Sequence, residues 1–151
     1  MLFNRKKKIC SPCSGQIKEL SQVEDEVFSK GLAGDGFAVV PEEDLVLSPV
    51  DGTVSMIFPT KHAIGIKDSE GKEFIIHIGI DTVKLKGKGF QVLVSENQKV
   101  RAGVPLVKVD YSVLKQNGLG TDIIILLGAG LKMHLSVSGF VRSGQEVGTC
   151  D

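Results

Sequence analysis

Tryptophan is absent from this 151-residue chain, tyrosine occurs once, and 7 phenylalanines complete the aromatic set. A core drawn from such a sequence must rest on aliphatic side chains. Neither sign of charge is in excess: 18 Lys and Arg balance 18 Asp and Glu. That balance gives no electrostatic footprint for a nucleic-acid partner. No apolar run reaches the roughly 18 residues of an ordinary spanning helix. The strongest run, residues 123–127, has the length of a core strand. Residues 1–9 are basic but lack an apolar h-region and a cleavage site, so they are not a signal peptide. They read as a solvated tail. The alternative is peripheral contact with an anionic membrane through Leu2, Phe3 and the adjacent cations. Cysteine is scarce: Cys10 and Cys13 stand two residues apart and Cys150 is alone. An odd count without an export signal fits a reducing compartment, so a cytoplasmic location is expected. The Cys10–Cys13 spacing lacks both the second pair that zinc favours and the following helix of a thioredoxin-like site. No nucleophile elbow, Walker loop, H-E-x-x-H pair or dinucleotide fingerprint is present.

What the chain has in quantity is glycine, 18 residues, set among β-branched side chains. That mixture favours short strands joined by tight turns. The reading is one all-β domain over residues 10–151, a compact antiparallel sandwich or barrel with a few short helical turns. The best helix candidate begins at Asp110 and stops at Gly118. Two phrases repeat. Ser11-Pro-Cys-Ser-Gly15-Gln-Ile and Ser48-Pro-Val-Asp-Gly52-Thr-Val share S-P-x-x-G-x-[IV]. Val100-Arg-Ala-Gly103 and Val141-Arg-Ser-Gly144 share V-R-[AS]-G. These echoes point to two similar β halves packed together.

Two of the three histidines lie in adjacent apolar runs separated by Asp68-Ser-Glu-Gly71, which reads as a turn. A symmetric loop sets Lys67 against Lys72. It then sets His62 against His77, Ile64 against Ile75, and Thr60 against Gly79. A one-residue bulge at Gly71 would change which face each histidine takes. Paired imidazoles on an apolar face suit a metal site, acid–base work or phosphoryl acceptance. Thr60 and His62, two apart on a strand, point to one side, and Gly79 opposite Thr60 leaves space for a partner to approach. His134 stands apart among apolar neighbours and reads as structural.

The text around those histidines resembles a known family. Phe58-Pro-Thr-Lys-His62-Ala, followed by His77-Ile-Gly-Ile-Asp81-Thr-Val-Lys-Leu-Lys-Gly87-Lys-Gly-Phe90, is similar to the glucose-type enzyme IIA of the bacterial sugar phosphotransferase system. Val23 to Phe28, Gly34 to Gly36 and the phrase at Ser48 extend the likeness. The resemblance implies that His77 accepts a phosphoryl group from the phosphocarrier HPr and passes it to a cysteine of enzyme IIB, beside the permease IIC. It implies that His62 stabilises the phosphate and that Thr60 orients His62. Asp25, Phe28, Phe58, Ile75, Asp81 and Val83 would form the partner-binding surface. No cofactor is expected; zinc would bind His62 and His77 only where a partner lent a further ligand. A chain without spans or IIB text is expected to be a free-standing IIA. The rival reading is a biotinyl- or lipoyl-type module with Lys132 as acceptor, marked against by the poorly formed hairpin tip there.

Overall fold

The computed structural model describes residues 6–151. Its strands are β1 (Lys7–Cys10), β2 (Gly15–Glu19), β3 (Gly36–Pro41), β4 (Leu45–Leu47), β5 (Gly52–Ile57), β6 (Ala63–Lys67) and β7 (Glu73–Ile80). There follow β8 (Phe90–Val92), β9 (Lys99–Val100), β10 (Pro105–Val109), β11 (Gly120–Leu127), β12 (Met133–Leu135), β13 (Gly139–Val141) and β14 (Glu146–Cys150). Two short helices, α1 (Glu26–Ser29) and α2 (Tyr111–Gln116), and 3-10 turns at Leu20–Gln22 and Thr82–Leu85 complete the elements. An eight-stranded sheet runs β13-β2-β3-β11-β7-β6-β5-β9. Two three-stranded sheets, β1-β14-β12 and β4-β10-β8, pack with it. All-β antiparallel architecture was the expectation, and the structure has it. Asp110 caps α2 by accepting from the Ser112 N–H, as its position predicts.

The aliphatic core divides along the centre of the large sheet. Phe74, Ile76 and Ile78 of β7 and Ile123, Ile125 and Leu127 of β11 face the main core. The intervening residues Ile124 and Leu126 join Leu20, Val23, Phe28 and Ala38 in a second cluster, with Ile75 against it. Both faces of the central strands are therefore covered, which explains their unbroken apolar text. The second cluster exists because residues 20–29 fold over the outer face of the sheet. Asp25 starts α1 by accepting from the Val27 and Phe28 N–H groups, and Phe28 is thereby pressed onto the sheet.

The repeated phrases occupy equivalent places. The Ser11 hydroxyl donates to the Cys13 carbonyl at 2.6 Å, and the Ser48 hydroxyl donates to the Val50 carbonyl at 2.7 Å. Each phrase also binds its own V-R-[AS]-G partner: Gly144 N–H donates to Ser11 C=O, and Gly103 N–H to Ser48 C=O. The two phrases then clasp each other, Cys10 N–H to Pro49 C=O and Leu47 N–H to Pro12 C=O. The echo in the text is a local two-fold repeat in space.

Two expectations need correction. The basic tail was placed at residues 1–9, but Lys7–Cys10 is a strand paired with β14; Leu2 and Phe3 lie outside the described residues. Lys132, marked against as an acceptor, is indeed at no hairpin tip: its backbone exchanges two hydrogen bonds with Asp151 beside β14. The hairpin register is one residue off. Lys67 faces Glu73, Ile64 faces Ile76, and His77 faces Ala63. The cause lies in the turn. Asp68 accepts through its carboxylate from Glu70 and Lys72 and through its carbonyl from Gly71, whose φ is +83°. This makes a five-residue loop with a glycine bulge in place of a symmetric four-residue one.

The repeat makes a direct prediction. Ser11→Ala and Ser48→Ala each leave a buried carbonyl short of a donor and should each cost about 1–3 kcal/mol. Urea unfolding should show similar falls in midpoint for both variants; a large fall in one alone would break the equivalence.

Candidate functional site

Where β6 begins, the chain has just made a tight turn. Lys61 takes φ +62° and its N–H donates to Phe58 C=O, while Phe58 N–H donates to Ala63 C=O. This turn lifts His62 out of strand alternation. Its backbone carbonyl still accepts from Ile78 N–H at 2.8 Å, tying the turn to β7. The imidazole of His62 therefore reaches His77 although their backbones are not opposed: ring centroids are 5.0 Å apart and nearly perpendicular. The expected meeting of the two histidines holds, but by a different backbone route.

Phe28 stands edge-on to His77 at 4.9 Å, and Phe58 edge-on to His62 at 5.6 Å. Four rings thus form a row, Phe28–His77–His62–Phe58. His62 is only 7% exposed, while His77, on the outer face of β7, is half-buried. His77 pairs across the sheet with Ile124. An apolar row disfavours charge on either imidazole. Burial and the neighbouring His62 push the His77 pKa down to about 4; the Gly79 carbonyl, Asp25 and Asp81 pull less strongly the other way. Burial lowers that of His62 as well.

Hydrogen bonds give the two rings different protonation. His77 Nδ1 lies 2.9 Å from the Gly79 carbonyl. A carbonyl only accepts, so Nδ1 must carry the proton. In the neutral ring Nε2 then holds a free lone pair. His62 Nδ1 lies 2.7 Å from the Thr60 hydroxyl, the contact that the resemblance implied, although both residues lie in the turn before β6 and not on a strand. When that hydroxyl donates, His62 keeps its proton on Nε2 and can donate it outward.

The remaining predicted residues take distinct places. Phe28 and Phe58 flank the pair. Asp25 is half-buried at the start of α1, and one of its oxygens is used as the cap. Asp81 is exposed just past β7 with φ +61°, and Val83 is 52% exposed beside it. Ile75 supports Phe28 from within the second cluster and is not a free rim residue. His134 is exposed and bonded to Asp151 at 2.7 Å, far from any apolar packing role. The thiols of Cys10, Cys13 and Cys150 are free, and burial pushes Cys13 up to about 12, which keeps it protonated. Among the described residues no group of three His, Cys, Asp or Glu side chains is arranged to hold a metal ion.

Sequence reading missed the role of Gly79. It was set opposite Thr60 as open space for a partner, but it turns inward with φ +75°. A Cβ there would sit 2.5 Å from the Thr82 methyl and 2.8 Å from the Gly120 carbonyl. The spacing His77-x-Gly79 at a strand end was the available signal: a glycine two residues on can turn its carbonyl back to the ring.

Comparison with known proteins agrees along nearly the whole chain. The family model for the phosphoenolpyruvate-dependent sugar phosphotransferase system, EIIA 1, matches residues 7–133. The glucose-specific EIIA component of Mycoplasma capricolum is 42% identical over 147 residues, 96% of each chain. The solved glucose permease IIA from Mycoplasma capricolum superposes with a TM-score of 0.87 at 41% identity, covering 99% of both chains. The glucose-specific EIICBA component of Staphylococcus carnosus is 43% identical over 141 residues, which are 92% of this chain and 21% of that protein. The chain thus spans about a fifth of that longer relative's length. With sequence and fold matched from β1 through β12, this chain belongs to the EIIA 1 family of the phosphoenolpyruvate-dependent sugar phosphotransferase system.

Proposed function

We propose that the protein carries phosphoryl groups on His77 Nε2, taking them from phospho-HPr and giving them to a cysteine of enzyme IIB. The observation that carries this reading is the bond from His77 Nδ1 to the Gly79 carbonyl, which leaves Nε2 as the nucleophile. In the first transfer the Nε2 lone pair attacks phosphorus. A new N–P bond forms as the N–P bond to the HPr histidine breaks. The phosphorylated ring gains positive character, and the Gly79 carbonyl stabilises its Nδ1 proton. His62, with Thr60 on its Nδ1, donates from Nε2 to a phosphoryl oxygen. In the second transfer a thiolate attacks phosphorus and the Nε2–P bond breaks, which restores the lone pair. Phosphoryl transfer asks mostly for positioning and charge stabilisation, and the site supplies both without a required cofactor.

The surface suits serial docking. Phe58 beside His62 and the exposed Val83 present apolar surface, with Phe28 buried behind His77, and Asp25 and Asp81 add negative charge. Such a patch meets cations on a partner and releases it again. Among the described residues no helix is long and apolar enough to cross a membrane. The relative named as an EIICBA component joins IIC, IIB and IIA in one protein, which supports IIB and IIC as the onward partners. In this role the protein works on the cytoplasmic side, and the sugar is chosen by those partners.

The defining experiment presents purified phospho-HPr to wild type, His77→Ala and His62→Ala. Wild type should take an acid-labile, base-stable label, and His77→Ala should take none. His62→Ala should still accept but pass the group to IIB at least ~100-fold more slowly, the scale of one lost transition-state donor. Failure of wild type to take label would overturn the reading.

Acidity gives a second test. The His77 pKa is depressed to about 4, so the ring stays neutral and nucleophilic above that pH and is lost as a nucleophile below it. Single-turnover acceptance from isolated phospho-HPr should be level from pH 8 to about pH 5, with no inflection near the ordinary histidine value of about 6.5. A half-loss near 6.5 would contradict the depressed value.

A further inference from the structure

The carbonyl that orients His77 is itself held by a side chain that touches neither histidine nor phosphate. Two left-handed residues flank the last residue of β7, Gly79 at φ +75° within the strand and Asp81 at φ +61° just past it. The second is unfavourable for a residue with a Cβ and persists only where its surroundings over-determine it. Thr82 follows at once and is fully buried. Its hydroxyl donates to the Ile78 carbonyl at 2.5 Å. Its methyl lies so close to Gly79 that a Cβ there would approach within 2.5 Å.

The Ile78 peptide is thus gripped at both ends of the residue, its N–H by His62 C=O and its C=O by Thr82. The Gly79 carbonyl, one residue on, accepts from His77 Nδ1. Rotation of the 79–80 peptide would take that carbonyl off the ring, and the Thr82 hydroxyl anchors the peptide that precedes it. We infer that Thr82 is a positioning residue for phosphoryl acceptance: by bonding Ile78 C=O, one residue before Gly79, its hydroxyl holds the Gly79 carbonyl on His77 Nδ1 and so keeps Nε2 as the nucleophile. The same grip reaches His62, because Ile78 N–H binds the His62 carbonyl from the other side. Thr82 therefore fixes the relative placement of both rings from behind the sheet. The inference rests on the carrier reading for its consequence in transfer, but its structural part stands on the His77 tautomer alone.

The test compares Thr82→Val, which keeps a branched side chain and loses the hydroxyl, with Thr82→Ser, which keeps the hydroxyl. Nitrogen-15 histidine NMR of the unphosphorylated proteins reads the tautomer, a property that mere loss of stability in a folded variant would not change. Wild type and Thr82→Ser should show His77 with its proton on Nδ1. Thr82→Val should show a mixture of tautomers, and its single-turnover acceptance from phospho-HPr should fall ~10–100-fold, the scale of a small misplacement at a reacting group. If Thr82→Val does not fold, Thr82→Ala, which adds no new contact, is measured in its place. An unmixed Nδ1–H tautomer in the hydroxyl-less variant, or a mixed one in Thr82→Ser, overturns the inference. The tautomer needs no phosphoryl donor, so failure of wild type to take label would sink the carrier reading and leave this result standing.

Discussion

The hydrogen bond from His77 Nδ1 to the Gly79 carbonyl is the constraint on which the site depends. Without it the two tautomers of a neutral imidazole differ little, and either nitrogen would carry the lone pair. With it the lone pair of the neutral ring is confined to Nε2. The row of rings from Phe28 to Phe58 acts together with that bond. The row keeps the imidazole neutral by excluding water, and the carbonyl decides where the neutral ring keeps its one proton. A neutral nucleophile with a fixed lone pair suits a carrier that must accept and release the same group.

The fold exists to present that bond at a covered place. β7 is central, paired with β6 and β11, so its backbone has little freedom. Its alternation sends Phe74, Ile76 and Ile78 into the main core and leaves Ile75 and His77 outside. The strip over residues 20–29 covers most of that outer face and stops at His77. Asp25 helps twice. Its carboxylate caps α1 and so seats Phe28, and its charge tempers the loss of basicity at His77. On the far side, the two serine phrases clasp the halves of the sandwich together through reciprocal backbone bonds.

Much of this was legible because it is written in local chemistry. Strand runs, the Asp110 cap and the repeated phrases each have a residue-level cause that acts within a few positions. The histidine pair was legible too, but its geometry was not. The register depended on whether the Asp68 turn held four residues or five, a difference made by side-chain hydrogen bonds from Asp68 and the left-handed Gly71. A one-residue slip should have parted the rings; the left-handed turn at Lys61 restored them. Two irregularities compensate each other, and neither shows in hydrophobic alternation. Gly79 was read as empty space because a glycine has no side chain to read, and its function lies in a carbonyl. His134 was read as structural, but its partner Asp151, 17 residues away in sequence, lies beyond any local pattern.

The most direct measurement is the identity of the phosphorylated nitrogen. Nitrogen-15 and phosphorus-31 NMR of the histidine-labelled phosphoprotein distinguishes Nε2 from Nδ1 and His77 from His62. The account predicts a single phosphohistidine, on His77 through Nε2, with Nδ1 still protonated against the Gly79 carbonyl. A phosphoryl group on His77 Nδ1, or on His62, would contradict it.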